Sequence, residues 1–180
     1  MNIVLIGYRG TGKSTIGRQL ANHLHRDFID TDALLVERAG KSIRQIFEEN
    51  GEPFFRDLES AVITSLTSRD NLVIAAGGGV ILRPANVTAL KKNGRFIWLQ
   101  ADATTLHTRI TADPSTPANR PNLLVGQKGG GGGLKEIEKL LAIRTPLYHA
   151  AADASLDVTH LSVEHAITHL TRLIQETRRI

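Results

Sequence analysis

A chain of 180 residues, 41% hydrophobic and 22% charged, is long enough to bury a real core and has an ordinary globular composition. It contains no cysteine, which excludes disulfides, thiolate metal sites and cysteine nucleophiles, and its net charge of +4 with 4% aromatic residues and no basic run speaks against a nucleic-acid partner. No apolar stretch approaches the ~20 residues needed to span a bilayer, and Met1 to Gly7 lacks the basic flank and cleavage site of a signal peptide, so a cytoplasmic chain with no membrane partner is expected.

Apolar, β-branched runs alternate with helical patterns along the chain, the signature of βαβ units around a parallel sheet. Ile3 to Ile6 reads as a first strand, and Ile16, Leu20 and Leu24 mark a helix from Lys13 to about His25. Phe28-Ile29 is a short second strand running into Asp30-Thr31-Asp32. Residues 33–39, 42–50 and 54–68 read as three helices separated by breaks at Gly40 and Gly51. Leu72 to Ala75 is a third strand that stops at Gly77-Gly78-Gly79, and Pro84 suits the first turn of the next helix. A fourth strand, Arg95 to Leu99, leads into a helix from about Ala103 to Thr111. Residues 113–133 hold three of the six prolines and the run Gly129 to Gly133, the composition of a mobile insertion. A helix resumes at Leu134 and runs towards Tyr148. Leu156-Asp157-Val158 is the expected fifth strand, and Ser162 caps a final helix that buries Val163, Ala166, Ile167, Leu170 and Ile174. The expected architecture is one three-layer αβα domain over residues 1–180 with a five-stranded parallel sheet.

The segment 7–14, Gly7-Tyr8-Arg9-Gly10-Thr11-Gly12-Lys13-Ser14, fits G-x-x-x-x-G-K-[ST] between a strand and a helix, the context in which that pattern carries chemistry. Its glycines let backbone N–H groups point at phosphate oxygens, and the helix that starts at Lys13 adds its positive dipole end. Gly10, Thr11, Gly12, Lys13, Ser14 and Thr15 are therefore the expected nucleotide-binding residues. In that arrangement Lys13 neutralises the β- and γ-phosphates of ATP and the Ser14 hydroxyl is a magnesium ligand.

The loop alone leaves the acceptor open, because P-loops serve kinases, GTPases, motors and DNA-handling ATPases. Three further features narrow it. Asp30-Thr31-Asp32 lies at a strand's carboxyl end, where alternation would turn both carboxylates to the cleft, one for hydrated magnesium and one for an acceptor hydroxyl; the same pattern is also common turn chemistry. Gly77 to Gly79 permits close approach to the backbone, or is a plain turn. Arg56, Arg120 and Arg144 carry forks suited to carboxylate and phosphate, although a single arginine is more often a solvated surface group.

Together these residues resemble the shikimate kinase family over nearly the whole chain. The phosphate loop, Phe28 to Asp32, Ile43 to Gly51 with Phe55-Arg56-Asp57-Leu58-Glu59, and Gly77 to Gly79 follow in the family's order. Arg120-Pro121, Arg144-Thr145-Pro146-Leu147-Tyr148 and Ala152-Asp153 complete the series. The resemblance implies a nucleoside monophosphate kinase-like fold with a helical substrate-binding region at about 31–60 and a lid at about 112–133. It also implies transfer of the γ-phosphoryl of ATP to the 3-hydroxyl of shikimate, a step of chorismate and aromatic amino acid biosynthesis. Carried over, Asp32 holds and activates the attacking hydroxyl. Arg56 and Arg144 clamp the carboxylate with a backbone N–H of Gly77 to Gly79, and Asp30 acts on magnesium through water. Arg120 reaches the transferring phosphate from the lid, and Arg109 lies against adenine. The chain departs from the family at Ala75-Ala76, where a hydroxyl residue is frequent, at Asn122, where an apolar residue is usual, and in its five consecutive glycines. A monomer is expected. The rival expectations are a kinase for another small acceptor such as gluconate or a nucleoside monophosphate, a non-catalytic ATP-binding module, and a nucleic-acid-dependent ATPase.

Overall fold

A computed structural model describes residues 1–113 and 133–176. Five strands, β1 (Asn2–Ile6), β2 (Asp27–Asp30), β3 (Leu72–Ala75), β4 (Gly94–Gln100) and β5 (Ala154–Asp157), form one sheet in the order β2-β3-β1-β4-β5. Every neighbouring pair is parallel, with registers such as Leu5 beside Ala75 and Ile97. Among the described residues seven α-helices accompany it: α1 (Lys13–His23), α2 (Thr31–Ala39), α3 (Ile43–Leu66), α4 (Pro84–Lys91), α5 (Ala103–Ala112), α6 (Leu134–Ala151) and α7 (Val163–Glu176). None of the described helices is long and apolar enough to cross a membrane.

Strand alternation divides the core in two. Val4, Ile6, Ile74, Phe96 and Trp98 face one side, where Ile63 and Leu66 of α3, Leu90 of α4 and Tyr148 of α6 cover them. Ile3, Leu5, Val73, Ile97 and Leu99 face the other, against Ile16 and Leu20 of α1 and Ala166, Leu170 and Ile174 of α7. Burial on both faces is why β1 and β3 read as continuous apolar runs. The two layers also place the site. The chain leaves β1 over one face and β3 over the other, so the carboxyl ends of these adjacent strands open a crevice, the usual ligand position in such sheets. The phosphate loop follows β1, and the triple glycine follows β3.

The expected elements are present, with informative shifts. Pro84 opens α4, and Ser162 Oγ accepts from the His165 N–H at 3.3 Å. The Ser42 side chain forms a capping box with Gln45 at the start of α3. Helix runs on through residues 51–53, but Gly51 is non-helical (φ 80°, ψ 174°), so the expected break survives as a kink. The fifth strand begins two residues earlier than expected, because pairing of Ala154 with Ile97 starts it and Ala154–Asp157 holds too little apolar signal to reveal that start. Asp153 pins this edge: its carboxylate accepts from the Phe96 N–H at 2.8 Å and from Lys91 Nζ at 2.9 Å.

One expectation is corrected. Asp30-Thr31-Asp32 does not continue as extended chain, because α2 begins at Thr31. Asp30, a preferred N-cap residue type, accepts from the backbone N–H groups of Asp32 and Ala33 at 3.0 and 3.2 Å. Strand alternation therefore does not bring the two carboxylates to the cleft. A strand end and the first turn of a helix do so instead.

Candidate active site

The phosphate loop closes tightly between β1 and α1. Gly12, at φ 85° and ψ 14°, is a left-handed N-cap that supplies no side-chain cap. The Ile16 N–H donates to Gly12 O at 2.8 Å, so the N–H groups of Lys13, Ser14 and Thr15 precede the first intrahelical bond and suit an anion. Lys13 is buried, and its Nζ donates to the carbonyls of Gly7 and Tyr8, both at 2.8 Å, which suspends the ammonium across the mouth of the loop. Ser14 Oγ donates to Asp30 Oδ2 at 2.5 Å. The two residues expected at the metal therefore meet, and an alcohol beside a carboxylate is the hard oxygen chemistry that magnesium takes.

A cleft of about 570 Å³ opens over this loop, within the ~300–1,000 Å³ typical of small-molecule sites. Gly10, Gly12, Lys13, Ser14, Thr15, Asp30, Asp32 and Arg109 line it, and Ala75 and Ala76 form part of its wall. Arg109 is anchored at the far end, where its Nη2 donates to the carbonyls of Val158 and Thr159 at 2.9 and 3.3 Å.

A second, adjoining pocket is lined by Asp32, Arg56, Glu59, Gly78, Gly79 and Arg144, with Ile43, Phe47 and Phe55 as its apolar wall. Thus Asp32, Arg56, Arg144 and two of the three glycines share one concavity although up to 112 positions separate them (144 − 32). Arg144 is 6% exposed, with Nη1 3.4 Å from Gly78 O and its guanidinium 5.8 Å from the Tyr8 ring centroid. One helical turn further along α6, Tyr148 donates to the same Gly78 carbonyl at 2.6 Å and stacks on Trp98. Burial raises the Tyr148 hydroxyl above its ordinary acidity range, so it stays a donor that holds the glycine turn. Gly77 is committed in another way: its N–H donates to Thr31 Oγ1 at 2.8 Å.

Glu59 is a site residue that the sequence pattern did not reveal. It is 3% exposed and accepts from Arg56 Nη1 at 2.9 Å, while Glu52 accepts from Arg56 Nε and Nη2 at 3.1 and 3.0 Å. The spacing Arg56-x-x-Glu59 on a helix face was the available signal, but only burial distinguishes this pair from a surface one. Glu59 Oε1 has no hydrogen-bond partner among the described residues. Desolvation raises its pKa above the ordinary 4.5 despite the opposing pull of Arg56, and the negative charge of Asp32 adds to the rise. The sign follows by linkage: the stability contribution is fully present below 4.5, and is lost as pH rises through the higher folded-state value. Thermal unfolding of Glu59→Gln against pH is expected to lack this decline relative to the parent. Curves that stay parallel from pH 4 to 8 (roughly the titration range of a shifted carboxyl) would contradict it.

The glycine turn is packed from outside by these same side chains. A Cβ on Gly77 would collide with Asp32 Oδ1, and one on Gly79 with the Arg56 guanidinium. Gly79→Ala is therefore expected to push Arg56 off its Glu59 partner and lower the melting temperature by several degrees, the scale of one lost charge-assisted hydrogen bond. A melting temperature unchanged in thermal unfolding would show that Arg56 adjusts freely. Arg120, Pro121 and Asn122, the glycines at 129–132, and all of the expected lid but its ends lie outside the described residues.

The chain is similar to known proteins along almost its whole length. A profile described as shikimate kinase matches residues 9–175. The chain is 38% identical to a shikimate kinase of Syntrophus aciditrophicus, covering 98% of this chain and 92% of the relative. It is 41% identical to one of Caldanaerobacter subterraneus subsp. tengcongensis, covering 95% and 94%. The solved structure of shikimate kinase from Acinetobacter baumannii in complex with shikimate superposes with a TM-score of 0.87 at 35% identity, covering 98% of this chain and 93% of that one. With a family profile matched almost end to end and relatives aligned over nearly their whole length, this chain belongs to the shikimate kinase family.

Proposed function

We propose that this enzyme transfers the γ-phosphoryl of ATP to the 3-hydroxyl of shikimate, giving shikimate 3-phosphate and ADP, as one P-loop kinase domain acting as a monomer. The observation that carries this reading is the junction of the two cavities. Asp32 lines both, with the phosphate loop on one side and two buried arginines on the other. Shikimate is a hydroxylated carboxylic acid, and it is the ligand of the Acinetobacter baumannii relative. In this reading Arg56 and Arg144 receive its carboxylate, assisted by the N–H of Gly78 or Gly79. Asp32 orients the attacking hydroxyl and takes its proton.

Phosphoryl transfer needs little covalent work from a protein; positioning and charge neutralisation dominate. Lys13 stabilises the equatorial oxygens, and the N–H groups of residues 10–15 hold the nucleotide phosphates. Arg109 lies beside the base, while the phosphate contact that the family resemblance implies for Arg120 falls outside the described residues. Ser14 and, through water, Asp30 would hold magnesium, which when bound neutralises charge on the β- and γ-phosphates.

A coupled ADP-release assay with shikimate, with gluconate and with no acceptor tests the reading. Shikimate-dependent release is expected, and its absence would overturn the assignment. Release driven as well by gluconate would show that the paired arginines do not select the acceptor.

A further inference from the structure

Arg9 sits inside the phosphate loop and differs from the other described arginines of the site. It is 8% exposed, and its Nε and Nη2 are buried with no hydrogen-bond partner among the described residues. Arg56 is tied to Glu52 and Glu59, Arg144 reaches the Gly78 carbonyl and Arg109 is held by two carbonyls. Arg9 has no carboxylate or carbonyl partner among the described residues. Its polar neighbour is the Tyr8 phenol, which also feels Arg144 and Glu136. A buried guanidinium without an anion is costly, and it cannot escape by losing its proton as a lysine could. Such a group is built to meet a negative charge that the described residues do not supply.

Its position indicates which charge. Among the described residues only Arg9, Asp32 and Ile43 line both the nucleotide cleft and the adjoining acid pocket. A phosphoryl group passing from the loop to a hydroxyl held by Asp32 must cross this junction. We infer that Arg9 is a further catalytic residue, whose guanidinium contacts the equatorial oxygens of the phosphoryl group in transit. The inference rests on the phosphotransferase reading above. In the step, the bond from the γ-phosphorus to the β–γ bridging oxygen breaks, and that oxygen leaves on ADP with the electron pair. The bond from phosphorus to the acceptor oxygen forms, and the hydroxyl proton passes to the Asp32 carboxylate. Arg9 donates no proton; it neutralises charge that is spread over three oxygens only while the group is between partners.

The test uses the full chain with Arg9→Met and Arg9→Lys beside the parent. In Arg9→Met, kcat is expected to fall by about 10²–10³-fold while the KM values for ATP and shikimate stay within roughly threefold, the signature of an interaction made in the transition state alone. The parent's complex with ADP, aluminium fluoride and shikimate should bind at least about tenfold more tightly than that of Arg9→Met, with ADP alone unchanged. The melting temperature should not drop, since a buried charge with no anion beside it among the described residues has been removed. A parent without shikimate-dependent ADP release would overturn this inference together with the reading beneath it. A parent that turns over while folded Arg9→Met or Arg9→Lys keeps its kcat would overturn the Arg9 assignment alone. So would a shikimate KM raised at unchanged kcat, which would make Arg9 a carboxylate ligand.

Discussion

Lys13→Ala is expected to reduce kcat by about 10²–10³-fold or more, the cost of removing one preorganised charge from the developing phosphoryl oxygens. The position of the ammonium underlies this expectation. Lys13 is the first residue of α1, and its Nζ is held by the Gly7 and Tyr8 carbonyls at 2.8 Å each, so the ammonium is already aligned with the mouth of the loop. A preorganised charge of this kind acts without reorganising at the moment of transfer. Lys13→Arg should not restore the rate, because a planar fork does not occupy the same gap between two carbonyls as a compact ammonium. Single-turnover rates at saturating ATP and shikimate provide the check. A Lys13→Ala enzyme within about tenfold of the parent would mean that the helix N-terminus carries the phosphate without help from the ammonium.

Arg144→Ala should act on binding first. Truncating one partner of a buried, charge-assisted pair costs about 2–5 kcal/mol, so the KM for shikimate is expected to rise by at least about thirtyfold while the KM for ATP moves little. The side chain is almost fully enclosed between the Tyr8 ring and the Gly78 carbonyl, so the loss comes from a prepositioned fork and not from a solvated arm. Titration of shikimate at fixed ATP distinguishes the outcomes. An untouched shikimate KM would make the carboxylate clamp wrong. Arg144→Lys should recover only part of the affinity, because a point charge cannot form the bidentate contact.

Much of the fold was legible because its signals are local. β1 and β3 read as apolar runs because both their faces are buried. Pro84 and Ser162 mark helix starts by chemistry that acts over one turn. The start of β5 was not legible, because pairing with β4 defines it more than its own hydropathy does. The change from strand to helix at Thr31 was hidden for a related reason. Asp30 can end a turn or cap a helix, and neighbours along the chain do not decide between these.

The nucleotide side of the proposed site was legible in sequence alone, since the loop, the lysine, the serine and the helix start are contiguous and their chemistry depends on backbone conformation over eight residues. The acceptor side of the proposed site was decided by the tertiary structure. Arg56 and Arg144 come from two different helices, α3 and α6, and only the packing of both against the Gly77 to Gly79 turn makes one pocket of them. The same packing buries Glu59, which in sequence is an ordinary helical carboxylate, and encloses Arg9 with no anion beside it among the described residues, which in sequence is an unspecified position of a phosphate loop. Burial and its electrostatic cost arise from contacts between distant segments, and a linear pattern carries no measure of them.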